Sequence, residues 1–498
     1  MPLFSPRESK ISTLTLVIVF LAVILFFAYV QFISPVFYDE DSYYHAAVAG
    51  FIKEFGPRYQ FHWTQFSTFG NAFSDKDFLF HLLIIPFLSL SNDIVTAGKY
   101  AVIFYNILFL SAYIWILRKY IPNFLVALLL LCLPISAAFS NYFLCLRSFT
   151  LANIFTILGI YLLINKKWLW LFILSVLYPL AHISFFTVII FALVCEIIRY
   201  AMNKEFFRVN IYAALFGTIL GCLIHPNNPN NWLSLHLNGV LVPLYTLTGV
   251  KLGFGSEFFA FTTSKALFNN LPMFISLNVI LWSMFLTRVK LSFPTIVWWG
   301  CVNMYLVLSF FSNRYWYITT VLFFIFFASY LKDWIGTREL KQLLPKISLF
   351  VCGYLAVILV FMSPVAKETG NFMKFYIQLN THYENAARWM RGNIPAGKTI
   401  YHAYWSDSPY FICLNPKNDY LVALDPIYMF YSHPREYLVY KDLEFGRIEN
   451  PYRALKNVFK SEYGYTRNDN MLYKQVTGDD KHFQVLYKDN LGIVFKVL

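Results

Sequence analysis

A succession of apolar runs, each near the length needed to cross a lipid bilayer, constrains this chain more than any other feature. The first, residues 11–33, follows a short basic head carrying Arg7 and Lys10. A transmembrane helix needs roughly twenty predominantly apolar residues, which this run supplies. No small-x-small cleavage pattern follows it, so it reads as a retained anchor. Further runs cover 96–117, 121–139, 149–164, 168–185, 186–200, 209–224, 265–287, 293–311, 315–331 and 343–363. They predict a helical polytopic membrane protein with about eleven transmembrane helices, two of them short and meeting near Ser184. Residues 78–90 are apolar but too short to span and read as an interfacial or re-entrant helix. Only 13% of the chain is charged, against about 25% in ordinary soluble proteins.

Lysine and arginine set the orientation. With the N-terminus cytoplasmic, the inner loops receive Arg118-Lys119, Lys166-Lys167, Arg199, Lys204, Arg208, Arg288, Lys290 and the basic stretch 332–346, as the positive-inside rule asks. This placement also accounts for the net charge of +13. No basic and aromatic residues interleave as a base-stacking platform, so nucleic acid is not an expected partner. The seven cysteines form no Cys-x-x-Cys pair and mostly lie in apolar runs, where cysteine acts as a small hydrophobe. Neither a disulfide framework nor a cysteine zinc site is expected.

An odd number of crossings puts the C-terminus outside. The outer side then holds a large first loop (34–95), a short loop (140–147), a loop at 225–264 and everything after Pro364. The chain divides into a transmembrane domain, 1–365, and an extracytoplasmic mixed α/β domain, 366–498. In the latter, 381–393 has helical spacing and stops at Pro395-Ala396-Gly397. Residues 398–403 and 420–424 read as strands, and 483–487 and 493–497 as a hairpin around Asp489-Asn490-Leu491-Gly492.

Chemistry concentrates just after the first span, in Asp39-Glu40-Asp41. Carboxylates beside a bilayer are costly to hold without a cation. They are hard oxygen ligands suited to Mg²⁺ or Mn²⁺. Asp41 also stands where it can cap a helix running to Phe55. His45 follows Asp41 by four residues and shares its helical face, as a metal ligand, a partner for Asp41, or an interfacial residue. His81 follows Asp77 with the same spacing and the same alternatives.

The run Asp41-Ser42-Tyr43-Tyr44-His45 after a first span, followed by a long outer loop, resembles glycosyltransferases of class C. The resemblance is to oligosaccharyltransferase catalytic subunits and transferases that use polyprenyl-phosphate sugars. It implies that Asp41 holds a catalytic divalent metal near the acceptor, with Asp39 and Glu40 as further metal candidates and Tyr44 and His45 as substrate contacts. Glu257, in Gly253-Phe254-Gly255-Ser256-Glu257, matches the family's loop glutamate. Arg314 stands where the family places an arginine on the lipid-linked pyrophosphate. Tyr404-Trp405-Ser406-Asp407 is similar to the acceptor-binding Trp-Trp-Asp-Tyr-Gly motif. The short second loop departs from the pattern: it has no Asp or Glu and offers Asn141, Tyr142 and Arg147. Asp75 and Asp77 are candidates to take the place of the missing acids.

The residues themselves suit this class. A sugar on a polyprenyl phosphate leaves as a phosphate or pyrophosphate, and Arg314, Arg147 or a metal can neutralise that charge. Asp41 or Glu257 can take or orient the acceptor's proton. Plainer roles compete: Arg314 and Arg147 as snorkelling residues, Glu257 paired with Lys251 or Lys265, Trp405 and Asp407 as core. His182 and the turn at 225–231 read as structural. A transporter, flippase or assembly subunit for lipid-linked glycans is the other class. Transporters carry ionisable groups near the midplane, whereas the acids here gather at one surface. The expected partners are a polyprenyl-linked donor, an acceptor of protein, lipid or glycan, and membrane lipids. The expected location is a prokaryotic plasma membrane.

Overall fold

The computed structural model describes residues 6–250, 252–335 and 340–498, with side chains for 10–137, 139–250, 252–335 and 367–498. Helices dominate, and a small four-stranded sheet lies near the C-terminus. Among the described residues five helices are long and apolar enough to cross a membrane: Lys10–Ile33, Ile94–Leu117, Ile183–Asn203, Phe293–Phe311 and Asn313–Ile335. A bent pair, Thr263–Asn269 and Leu271–Leu286, kinked by 83°, makes a sixth if counted as one span. Several expected crossings are shorter apolar helices, including Asn123–Cys132, Phe149–Ile164, Trp168–Ala181 and Arg208–Leu223. The run 121–139 breaks because Pro134 cannot continue a helix, and a new one, Ala137–Phe143, starts after Ser136. The expected division of 168–200 falls at His182. The expected span 343–363 lies in the helix Leu340–Asn393, but its side chains lie outside the described residues.

Small residues let the bundle close. Helices Trp168–Ala181 and Arg208–Leu223 touch through Gly217, where an added Cβ would sit 2.7 Å from the Phe172 carbonyl. Between helices in a membrane, such close backbone approach replaces the hydrophobic drive available in water.

A second apolar core joins the first loop to the C-terminal region. Tyr43 packs 4.7 Å from Tyr410, and Phe69 lies 4.3 Å from Tyr428. Backbone bonds stitch the same pieces: Gln65 N–H donates to Tyr420 O (3.0 Å), Phe66 N–H to Leu421 O (2.9 Å), and Tyr420 N–H to Trp63 O (2.7 Å). The 420–424 segment is thus extended, but Tyr420 makes an isolated bridge with Thr64, and the adjoining Asp419 one with Thr399, instead of entering the sheet. The sheet takes β1 (Ile400–His402), β2 (Tyr463–Arg467), β3 (Phe483–Lys488) and β4 (Gly492–Val497) in the order β1-β2-β4-β3. The β3–β4 hairpin is as expected, whereas β2, unforeseen, pairs parallel with β1 and antiparallel with β4.

Candidate functional site

The helix after the first span begins at Glu40, with Asp39 at the N-cap position. The expected cap by Asp41 is not formed, and Asp39 caps nothing. Its carboxylate instead accepts from the Ser42 hydroxyl and from Arg147 Nε (2.5 Å). Arg147 is delivered by the short turn after Ala137–Phe143, where the Leu146 N–H donates to Ser42 Oγ (2.9 Å). The same guanidinium reaches Asp41 Oδ2 and Glu257 Oε2, each at 3.0 Å. One largely buried cation therefore ties three acids from two places in the sequence.

Glu257 is fixed from the other side too. Ser312 Oγ donates to its backbone carbonyl (2.8 Å), and Asn313 N–H to Phe259 O (2.9 Å). Arg314, on the same turn, stands 3.9 Å from Glu257 Oε1 and lies over the Phe258 and Phe149 rings at 4.5 and 5.2 Å. Those rings hold the guanidinium in place while leaving it weakly paired. Trp405 Nε1 donates to Gly253 O (3.0 Å), tying the C-terminal region to the start of this loop.

These groups enclose a cavity of about 180 Å³, lined by Glu40, Asp41, His45, Lys76, Arg147, Glu257, Arg314, Trp405 and Asp425 among others. Its electrostatics follow from burial. Desolvation and Asp41 push Glu40 up to about 8, so it is mostly protonated at neutral pH. Burial, opposed by Arg147, leaves Asp41 at about 6. Burial also disfavours the Glu257 charge, but Arg147 and Arg314 more than reverse this and hold it below the usual range. Burial raises Asp425 to about 7.

Several expected residues take other roles. Asp407 is fully buried away from the cavity, accepting from the Tyr383 hydroxyl and the Tyr404 N–H (3.1 Å), and is a core residue. Tyr44 points into the aromatic core against Phe61 and the His45 and His81 rings. His45 lines the cavity but bonds His81 (2.7 Å) rather than Asp41. His81 pairs with Asp75 (2.7 Å), not Asp77. Asp77 holds Lys76 at 2.6 Å.

The expected metal site does not form either. Among the described residues no group of three or more His, Cys, Asp or Glu is arranged to hold a metal. Asp39, Asp41 and Glu257 already surround the Arg147 guanidinium, so this donor set does not fit a divalent ion.

Sequence reasoning missed Lys76 and Asp425, and read as structural His182, which also lines the cavity. A lysine between two acids in a polar loop was the available signal for Lys76. Its ammonium faces the cavity, where burial disfavours its charge and Asp77 more than restores it. His182 Nδ1 accepts from the Ser184 N–H (3.1 Å), which leaves its other nitrogen as a donor. The turn at 225–231 is structural as expected: His225 Nε2 donates to Asp75 O (3.1 Å), and Asn227 Oδ1 accepts from Asp75 N–H (3.1 Å).

The sequence matches no family model and no curated protein. Solved structures do match. The apo oligosaccharyltransferase of Archaeoglobus fulgidus is similar over 90% of this chain and 69% of its own, with a TM-score of 0.61 at 12% identity. The same organism's AglB, in complex with an inhibitory peptide and a dolichol-phosphate, gives 0.58 at 11% identity, with the same coverage. ArnT from Cupriavidus metallidurans, bound to undecaprenyl phosphate, aligns over 96% of this chain and 97% of its own, at 0.57 and 12% identity. The chain has the fold of class C membrane glycosyltransferases.

Proposed function

We propose that the chain transfers a sugar or glycan from a polyprenyl-(pyro)phosphate donor to an acceptor, at the extracytoplasmic rim of a prokaryotic plasma membrane. One observation carries this reading. Asp41 and Glu257, locked by one guanidinium, share a cavity with two further cations, the lightly paired Arg314 and Lys76, which Asp77 holds.

The leaving phosphate gains charge as its bond to the anomeric carbon breaks. Arg314, held by aromatic faces with Glu257 at 3.9 Å, and Lys76 are the groups that stabilise it. Asp41 and Glu257 grip the acceptor and the sugar hydroxyls, and Asp41 faces the developing positive charge at the anomeric carbon. A single displacement in this arrangement inverts that carbon. Arg147 supplies the positive charge that lets the acids coexist. Trp405 offers the sugar a flat apolar face. The structures of ArnT with undecaprenyl phosphate and of AglB with dolichol-phosphate support a lipid phosphate as donor.

The test uses the purified protein in nanodiscs, presented with undecaprenyl-phosphate hexoses and membrane acceptors. Asp41→Asn and Arg314→Ala should abolish sugar transfer while expression and thermal stability persist. Normal transfer by both variants sinks the proposal.

A further inference from the structure

Beneath the cavity wall lies a buried chain that the transfer reading does not use. Asp75 Oδ2 meets His81 Nδ1 at 2.7 Å, and His81 Nε2 meets His45 Nδ1 at 2.7 Å. His81 and Asp75 are sealed from solvent, and His45 lines the cavity. Among the described residues, His45 Nε2 has no hydrogen-bond partner.

Hydrogen-bond polarity propagates along such a chain. An ionised Asp75 can only accept, so His81 carries its proton on Nδ1. In a neutral imidazole the other nitrogen is then an acceptor, so His81 Nε2 accepts from His45 Nδ1–H. His45 Nε2 is left with the free lone pair, on a ring that lines the cavity. We infer that His45 is the general base that takes the acceptor's proton, with His81 and Asp75 as the positioning residues that set its tautomer and receive the charge.

The step balances. The acceptor oxygen forms a bond to the anomeric carbon while the bond from that carbon to the phosphate oxygen breaks, and the phosphate leaves with the electron pair. The acceptor's proton goes to His45 Nε2, and the Nδ1 proton of His45 moves to His81 Nε2. The positive charge comes to rest on His81, against Asp75. Burial and the neighbouring His81 hold the free His45 well below the usual histidine range, hence neutral and ready to accept. The charged groups around it are Asp77, Lys76 and Arg147 besides the chain itself. A weak base can still work here, because the proton does not stay on the ring that lines the cavity.

Asp75→Asn gives a distinctive test. Asp75 Oδ1 also accepts from the Asp77 N–H (3.1 Å). In the variant the amide oxygen keeps that bond, which turns the amide NH₂ toward His81 Nδ1. His81 must then carry its proton on Nε2 and donate to His45 Nδ1, so His45 Nε2 becomes a donor. The substitution changes one atom, and both imidazoles reverse.

The role rests on the transfer reading, but the tautomers need no substrate. Nitrogen-15 NMR of histidine-labelled full-length protein in nanodiscs, assigned by signal loss in His45→Gln and His81→Gln, reads them directly. The natural protein should show both rings protonated on Nδ1, and Asp75→Asn should show both on Nε2. With undecaprenyl-phosphate hexoses as donors, Asp75→Asn and His45→Gln should each lower kcat on the order of 10²–10⁴-fold. The affinity for undecaprenyl phosphate should be unchanged, and the double variant should be no slower than either single one. A natural His45 protonated on Nε2, or an Asp75→Asn enzyme with unaltered kcat, overturns the relay while leaving the transfer reading standing. A natural protein that transfers no sugar overturns the transfer reading and the catalytic role of His45, whatever the tautomers show.

Discussion

Arg147→Met is the most informative perturbation of the site. The side chain is only 11% exposed and serves Asp39, 5% exposed, together with Asp41 and Glu257, 25% each. Methionine roughly keeps the volume and removes the charge. Breaking a buried pair by removing one partner costs about 3–5 kcal/mol, because the remaining charge is left uncompensated. The loss depends on pH with a definite sign. Without Arg147, Asp41 shifts further up in the folded state and Glu257 loses a cation that holds it low, while in the unfolded chain both stay near about 4. A raised folded value means stability falls as pH rises through it, at about 1.4 kcal/mol per pH unit per proton. The variant should therefore lose about 1–2 kcal/mol at pH 5, where protons can stand in for the arginine, and about 3–5 kcal/mol at pH 8. With about 2 cal/mol/K per residue over 498 residues, the pH 8 loss lowers the apparent Tm by about 4 °C. Thermal unfolding in detergent at both pH values measures it, and adding Asp39→Asn and Glu257→Gln should recover most of the loss at pH 8. A loss equal at pH 5 and pH 8, or no recovery in the triple variant, refutes the clamp.

Lys76→Met should weaken undecaprenyl phosphate binding about tenfold by calorimetry, as expected for losing about 1.4 kcal/mol from one charged contact. Asp41, raised to about 6, must be ionised to act, so kcat/KM should rise with pH through about 6; a profile flat from pH 5 to 8 contradicts its role. Asp407→Asn should cost about 1–2 kcal/mol of stability, since an amide cannot accept from both Tyr383 and Tyr404, and transfer per folded molecule should be unchanged. Gly217→Val should push helices Trp168–Ala181 and Arg208–Leu223 apart and cost at least about 1–3 kcal/mol, seen as a lower apparent Tm.

The apolar runs disclosed the architecture because a bilayer imposes length and polarity on every crossing. Where the bundle buries shorter helices in protein, as at Asn123–Cys132, length no longer reports a span. Polar residues at the ends of apolar runs marked Asp41, Arg147 and Arg314, a family-like loop motif marked Glu257, and the structure brings all four together. Their roles were less legible. That Arg147 occupies the place read as a metal site is a fact of distance, not of spacing. Tyr44 and His45 are adjacent on one helix, about 100° apart, so they face different ways, and only His45 reaches the cavity. Asp407 stands in a motif-like run but turns inward to cap a short turn. The 420–424 run is apolar on both faces, like a buried strand, yet finds its partners in the first loop. Strand β2 escaped notice because it is five residues long and holds Gly464, whose bare backbone makes room for the Phe495 ring.

The stitching of the first loop to the C-terminal region has a temporal consequence. Gln65 and its side-chain partner Asp419 are 354 residues apart. At about 5–20 residues per second, a ribosome takes on the order of tens of seconds to cover that distance. Throughout that interval the aromatic faces of the first loop are made but uncovered, and the wall that carries Trp405 and Asp425 does not yet exist. A nascent chain can anchor itself early, but it completes its cavity only when its last quarter arrives.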